Sequence, residues 1–474
     1  MRSKLLVRAA AVLVGGASIA VVGAASATAA PLNEFIPYKF AQPPTTAQCE
    51  QPPPAGPGIA CYQPFQFQQA YDMNPLYKAG LNGSGRTIVI VDSFGSPTIR
   101  SDLNTFDQET GLPAPPSLDI IHPAGTPPPY DANNFDMGQW ALETSLDVEY
   151  AHTMAPGANI LLVETPVDET IGVMGFPQMI EAENYVIDHG LGDVITQSFG
   201  AGEDTFPNAQ SIYDLRSAYI NAARRGVTVL ASAGDSGPTE ASAYDPQNGA
   251  ENFFPFRDVG WPSSDPLVTS VGGTQLHLDA SGNRTAPDNV WNDTALFGAP
   301  AAGGGGLSAV FGRPSYQSRE SRVVGWSRGT PDVAMSAAVN GAADVYLGFT
   351  NTQNGVAAPG WYLIGGTSEA SPLTSGIVAV ADQASGHRLG LLNPMLYDQG
   401  QGARPGLVDI TRGNNTVTFT QAVPGGRYYN NGATYTVPGY TAVPGYDLAS
   451  GLGTIDGAAF VEHVAHTGFA RDRR

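Results

Sequence analysis

The chain has 474 residues, with 43 acidic against 23 basic side chains and a net charge of −20. Lysine occurs only at positions 4, 39 and 78, and no basic cluster exists, so the surface repels nucleic acid and anionic lipid and excludes both as partners. Beyond residue 30 no stretch is apolar and long enough to cross a bilayer, which argues against a membrane protein.

Arg2, Lys4 and Arg8 precede an apolar run from Ala9 to Ala25 and the small-residue site Ala27-Thr28-Ala29. This order predicts a signal peptide over 1–29 and a secreted, extracellular product. An uncleaved anchor is disfavoured because Gly15, Gly16, Ser18 and Gly23 interrupt the run. Residues 30–64 form a proline-rich leader, extended and either wrapped onto the following domain or mobile. Cys49 and Cys61 are the only cysteines, and in an exported chain they are expected to pair. Closing that loop stabilises by roughly 2–3 kcal/mol.

Structured sequence is expected to begin near Phe65. The pattern then predicts a strand over 87–91, a helix over 138–152, a strand over 159–163, a helix over 173–189, a strand over 194–197, a helix over 212–225 and a strand over 227–231. Such alternation implies an α/β fold, a parallel sheet with helices on both faces. No charged or low-complexity linker divides the rest, so 65–466 is expected to be one large domain with long loops, followed by a tail over 467–474. The glycine run 303–306 is expected to be a functional loop.

In Gly365-Gly366-Thr367-Ser368-Glu369-Ala370-Ser371-Pro372 a glycine-rich turn opens into a helix, where Ser368 is placed as a nucleophile is and outward amides can receive an oxyanion. Pro372 is expected in the first helical turn. The same run taken alone also suits a plain N-cap. A serine needs a base, and none of the seven histidines has a Gly-His-Gly-Thr setting. Glu143 and Asp147, four apart on the predicted helix, share a face and would hold a proton between them unless solvated. Trp140, Leu142, Leu146 and Val148 surround them with apolar bulk. Asp235 follows the strand over 227–231, at the sheet edge where sites collect, and once protonated could donate to an oxyanion, although Gly-Asp-Ser-Gly also forms ordinary turns.

With these residues assembled, the chain resembles the sedolisin family, the serine-carboxyl peptidases with a subtilisin-like fold. The likeness extends from about Tyr62 to Ala459 and includes the stretches 83–92, 268–274, 304–308 with 314–317, 328–334 and 392–397. It implies that Ser368 is the nucleophile, Glu143 the general base and later acid, Asp147 its orienting partner and Asp235 the oxyanion acid. Asp92 would extend the network to Asp147. It also implies one structural calcium, held by the carboxylates of Asp409 and Asp447 and the carbonyls of Ile410, Val443 and Gly445, oxygen ligands of the kind calcium takes. The resulting expectation is a monomeric, acid-active endopeptidase acting on protein or peptide substrates. Its rivals are a tripeptidyl-type exopeptidase and a non-catalytic secreted binding protein of the same fold.

Three departures from the family pattern stand out. Val443 replaces the usual glycine, Glu369 replaces a small residue beside the nucleophile, and only a short stretch separates Ala30 from the first strand instead of a long folded prosegment. The leader with Cys49 and Cys61 is therefore expected to stay attached, the secreted chain beginning near Ala30 or at least before Cys49.

Overall fold

A computed structural model describes residues 34–471 except 52–57, 170, 246–248, 399–405, 427 and 431. The expected signal peptide lies outside the described residues. Twelve strands and six helices position the site. The strands are β1 (Glu34–Phe40), β2 (Cys61–Tyr62), β3 (Thr87–Ser93), β4 (Leu118–Ile121), β5 (Asn159–Thr165), β6 (Val194–Gln197), β7 (Thr228–Ser232), β8 (Thr269–Gln275), β9 (Asn289–Val290), β10 (Val333–Ser336), β11 (Ala342–Leu347) and β12 (Gly360–Gly365). The helices are α1 (Ile99–Thr110), α2 (Phe135–Met154), α3 (Phe176–His189), α4 (Ser217–Arg225), α5 (Thr367–Ser385) and α6 (Gly457–Arg471).

The central sheet has eight strands, in the order β9-β8-β7-β6-β3-β5-β4 with β10 also paired to β8. All its pairings are parallel except β8 with β9. Its inner strands are buried on both faces, and the pleat divides their side chains between two cores. Ile88, Ile90, Leu162 and Leu230 point to one core, filled from the other side by α2 and α5. Val89, Val91, Val163 and Val229 point to the other, closed by α3 and α4. This is the α/β architecture, a subtilisin-like parallel sheet in a single domain, that the alternation of elements predicts.

The predicted helix over 173–189 begins at Phe176, after Gly175 turns the chain and Pro177 sets the first turn. The helix over 212–225 is two helices, Ala209–Leu215 and α4, with Arg216 between them bonded to Asp265 at 2.5 and 2.9 Å.

Ordered structure also starts well before Phe65. β1 adds antiparallel to β12, Glu34 opposite Gly365, in a four-stranded sheet ordered β1-β12-β11-β2. The reason is local: Phe35 buries against Tyr362 while the strand satisfies the open edge of β12. Cys49 and Cys61 form a disulfide, and Cys61 begins β2, so the bridge ties the leader to the same sheet.

Candidate active site

The carboxyl ends of β3, β6 and β7 meet the amino end of α5, and the predicted catalytic residues lie around that junction. Gly366, the residue before α5, has φ of +116°, a conformation that a side chain would strain, and it turns β12 into the helix. Ser368 is the second helical residue and fully buried. Pro372 lies further in than expected, as the sixth residue of α5. It cannot donate to the Ser368 carbonyl, so the helical ladder is interrupted at that residue.

Asp235 reaches this turn from the end of β7. Its Oδ1 accepts from the Thr367 amide at 2.8 Å and the Thr367 hydroxyl at 2.7 Å. Oδ2 is buried and has no partner among the described residues. Burial pushes its pKa up to about 7, although the two bonds from Thr367 oppose this, so in acid the carboxyl carries a proton to donate. Ser232 Oγ donates to the Thr367 carbonyl at 2.8 Å and Gly234 N to its hydroxyl at 3.1 Å, which locks the strand end to the turn that carries Ser368.

The predicted glycine loop acts as a brace behind Asp235. Gly304 N donates to Gly234 O at 2.7 Å and Ala302 N to Asp235 O at 2.8 Å. A Cβ at Gly304 would sit 2.1 Å from the Ala233 carbonyl, so nothing larger fits without moving the Asp235 turn.

Glu143 and Asp147 come from α2, which packs along α5. Every residue of α2 from Met137 to Met154 is buried, because the helix runs between the central sheet and the second sheet. The pair therefore has no solvated face. Burial first, then Glu143 and Asp92, hold Asp147 well above the usual carboxylate range. Asp92, at the end of β3, is pushed up to about 8, chiefly by burial. Three acids in one apolar enclosure cannot all ionise, and a shared proton is the cheapest solution. His152, further along α2, instead faces Asp107 at 3.2 Å and Pro113 O at 2.8 Å.

Ser198 and Thr367 carry roles that sequence reasoning missed. Ser198 Oγ donates to Asp147 Oδ1 at 3.0 Å, and Ser232 Oγ lies 3.5 Å from Ser198. The available signal was position: Ser198 stands one residue beyond the predicted strand over 194–197, on the edge that gathers site residues. Thr367 adjoins Ser368, yet its bonds to Asp235 depend on a contact between residues 132 apart in sequence.

Away from this junction, Asp409 and Asp447 converge on one loop. Asp409 Oδ2 accepts from Gly445 N at 2.8 Å and Asp447 Oδ2 from Val443 N at 2.9 Å, while Ile410 is buried beside them. Two carboxylates brought onto one loop are hard oxygen ligands of the kind that suits calcium.

A sequence profile described as the Subtilase family matches residues 132–394. The chain belongs to this family. Its curated relatives place it among the sedolisins. Kumamolisin of Bacillus sp. (strain MN-32) is 33% identical, over 77% of this chain and 60% of its own. Sedolisin of Pseudomonas sp. (strain 101) is 27% identical, over 86% and 62%. Tripeptidyl-peptidase 1 of Homo sapiens is 32% identical, over 61% and 47%. The chain thus spans about half to three fifths of the length of these relatives. A solved structure of Pseudomonas sedolisin, a serine-carboxyl proteinase complexed with two molecules of pseudo-iodotyrostatin, superposes with a TM-score of 0.65 at 24% identity. The alignment covers 87% of this chain and all of that one, and demonstrates the common fold.

Proposed function

We propose that this subtilase is a secreted serine-carboxyl endopeptidase that cuts peptide bonds in acid through an acyl-enzyme on Ser368. The observation that carries this is the doubly bonded Asp235: one oxygen grips the residue next to Ser368, and the other is buried without a partner among the described residues.

Glu143 takes the proton of Ser368 Oγ as that oxygen attacks the substrate carbonyl carbon. The oxyanion receives the proton-bearing Asp235 carboxyl as a hydrogen-bond donor. Glu143 then returns its proton to the departing amine, the C–N bond breaks, and an ester remains on Ser368. Water attacks the ester with Glu143 again as base, which releases the acid product and restores the serine. Asp147, held by Ser198, orients Glu143 and shares its proton, with Asp92 beneath. A carboxylate base of this kind works where imidazole would already be protonated and inert.

Calcium held by Asp409, Asp447 and the carbonyls of Ile410, Val443 and Gly445 would cross-link two loops and take no part in the chemistry. Export follows from the segment 1–29; among the described residues no helix is long and apolar enough to cross a membrane. Peptide or protein substrates and a monomeric state complete the proposal.

The likeness to tripeptidyl-peptidase 1 favours one second reading, an exopeptidase acting at free N-termini. Peptides with blocked and free amino ends, incubated between pH 3 and pH 8 with the wild type and Ser368→Ala, test both. Cleavage of blocked peptides in acid, lost in the variant, supports the endopeptidase; cleavage of free-ended peptides alone supports the exopeptidase. Maximal activity near pH 8, or activity surviving in the variant, overturns the mechanism.

A further inference from the structure

β12 ends where the candidate site begins: Gly365 is its last residue, and Gly366, Thr367 and Ser368 follow directly. Its pairing with β11 runs from Leu347 opposite Gly360 to Ala343 opposite Ile364 and stops there. On the other edge β1 reaches one residue further, with Phe35 opposite Ile364 and Glu34 opposite Gly365. The leader strand is therefore the sheet neighbour that follows β12 to the last residue before the turn. Just past that point the Gly366 amide donates to the Ala337 carbonyl at 2.6 Å.

β1 is fitted to this edge from end to end. Phe35 is buried, with its ring 5.5 Å from that of Tyr362 on β12. At the far end Phe40 lies opposite Trp361, and Gly360 leaves the room it needs: a Cβ on Gly360 would lie 2.8 Å from the Phe40 carbonyl oxygen. An open edge needs only to be covered, and a strand matched to β12 as far as Gly365 does more than cover it.

We propose that β1 is a positioning element for the reaction, with Phe35 as its anchor: it holds the end of β12, and through Gly365 and Gly366 it sets the placement of Ser368 and of the Thr367 groups that bond to Asp235. The leader thus serves turnover as well as stability. A reacting group displaced by about 1 Å loses roughly 10²-fold in rate, so a strand that only fixes the approach to the turn has leverage on the chemistry.

The same lever acts on Asp235. Burial favours its neutral form and the two bonds from Thr367 favour the carboxylate, while the titratable groups that act with it, Glu240 beyond β7 and Glu369 on α5, are both acids. Once β1 lets the turn shift, the Thr367 bonds weaken and the carboxyl keeps its proton to higher pH. Freeing β1 is therefore expected to lower turnover and at the same time to move the alkaline limb of the activity profile upward. A loss of stability alone does not produce that combination.

This role rests on the peptidase reading. It is tested in the full chain with Phe35→Ala and Phe35→Leu, beside a control in which Cys49 and Cys61 are both replaced by serine, which loosens the leader loop without touching β1. Hydrogen exchange over residues 360–366 is expected to be faster in Phe35→Ala. Its kcat per folded molecule is expected to fall about tenfold or more with KM little changed, and the alkaline limb of kcat/KM to rise by about half a pH unit or more. Phe35→Leu should restore most of kcat, and the cysteine control should lose stability with both readings unmoved. Where Phe35→Ala yields no folded protein, Gly360→Ala lifts the strand from its other end and is expected to give the same three changes. Unaltered kcat and limb in a variant whose exchange has risen overturn the proposal, and so does a fall in kcat that the cysteine control reproduces with the limb fixed. Unaltered exchange in Phe35→Ala overturns Phe35 as the anchor. Failure of the wild type to cleave any peptide, blocked or free-ended, overturns the peptidase reading instead, while the exchange difference still reports the pairing.

Discussion

Two groups of wholly buried carboxylates in this molecule have opposite surroundings. Asp332 receives Arg328 through both oxygens at 2.7 and 2.5 Å, with Tyr397 Oη at 2.8 Å and Ser270 N at 2.8 Å completing its shell. Asp92, Asp147 and Asp235 face neighbouring acids or neutral donors, and each keeps at least one oxygen without a partner among the described residues. The first arrangement anchors β8 to the chain beyond it. The second is too poorly compensated to be an anchor, and under the proposed mechanism its value lies in holding and passing a proton. What separates anchor from acid–base group is therefore whether a cation was folded in beside the acid, since burial is the same in both.

Replacing an acid in each group should break that contrast most sharply. Glu143→Gln is expected to lower kcat about 10³-fold or more while the folded protein keeps its melting temperature, because a neutral amide stands in for a group that shares a proton. Steady-state kinetics beside a thermal scan would check both halves. Asp332→Ala should do the reverse. It strands the Arg328 guanidinium in the core and is expected to cost about 3–5 kcal/mol in urea unfolding, with turnover per folded molecule little changed.

Acidity sharpens the comparison without mutation. The folded-state values of Asp235, about 7, and Asp92, about 8, lie above that of an unfolded aspartate, so the native state binds more protons between them. Their contribution is fully present below the unfolded value, about 4, and is lost as pH rises through about 7 to 8. The melting temperature is expected to fall by several degrees between pH 5 and pH 8.5, and in Asp235→Asn that slope should be shallower. Equal slopes in the two proteins would remove Asp235 from the account.

Smaller effects are expected where neither group is touched. Replacing Cys49 and Cys61 together by serine frees the leader loop and should cost roughly 2–3 kcal/mol, read by urea unfolding, with the acid activity profile unmoved. Chelation of calcium should lower the melting temperature by a few degrees with no direct effect on the chemistry. Burial holds the pKa of the Asp447 carboxyl above the usual carboxylate range, so acidification should weaken the ion's hold first through that carboxyl. Metal analysis of the purified protein would check for the ion itself.

The sequence by itself determined the parallel α/β sheet, since Ile88-Val89-Ile90-Val91 and its counterparts are apolar on both sides and can be buried only between two helical layers. Glu143 and Asp147 were legible as a pair because a helix places residues four apart on one face. Their complete burial was not, because that depends on α2 being enclosed between two sheets, one of which the short segments β1 and β2 help to build. β1 escaped notice because proline-rich surroundings mask a strand whose stability comes from the open edge of β12. Only the tertiary structure could bring Ser198 to Asp147 and Thr367 to Asp235. Each of those contacts joins residues far apart along the chain, and local propensity carries no information about a partner that arrives only when the core closes.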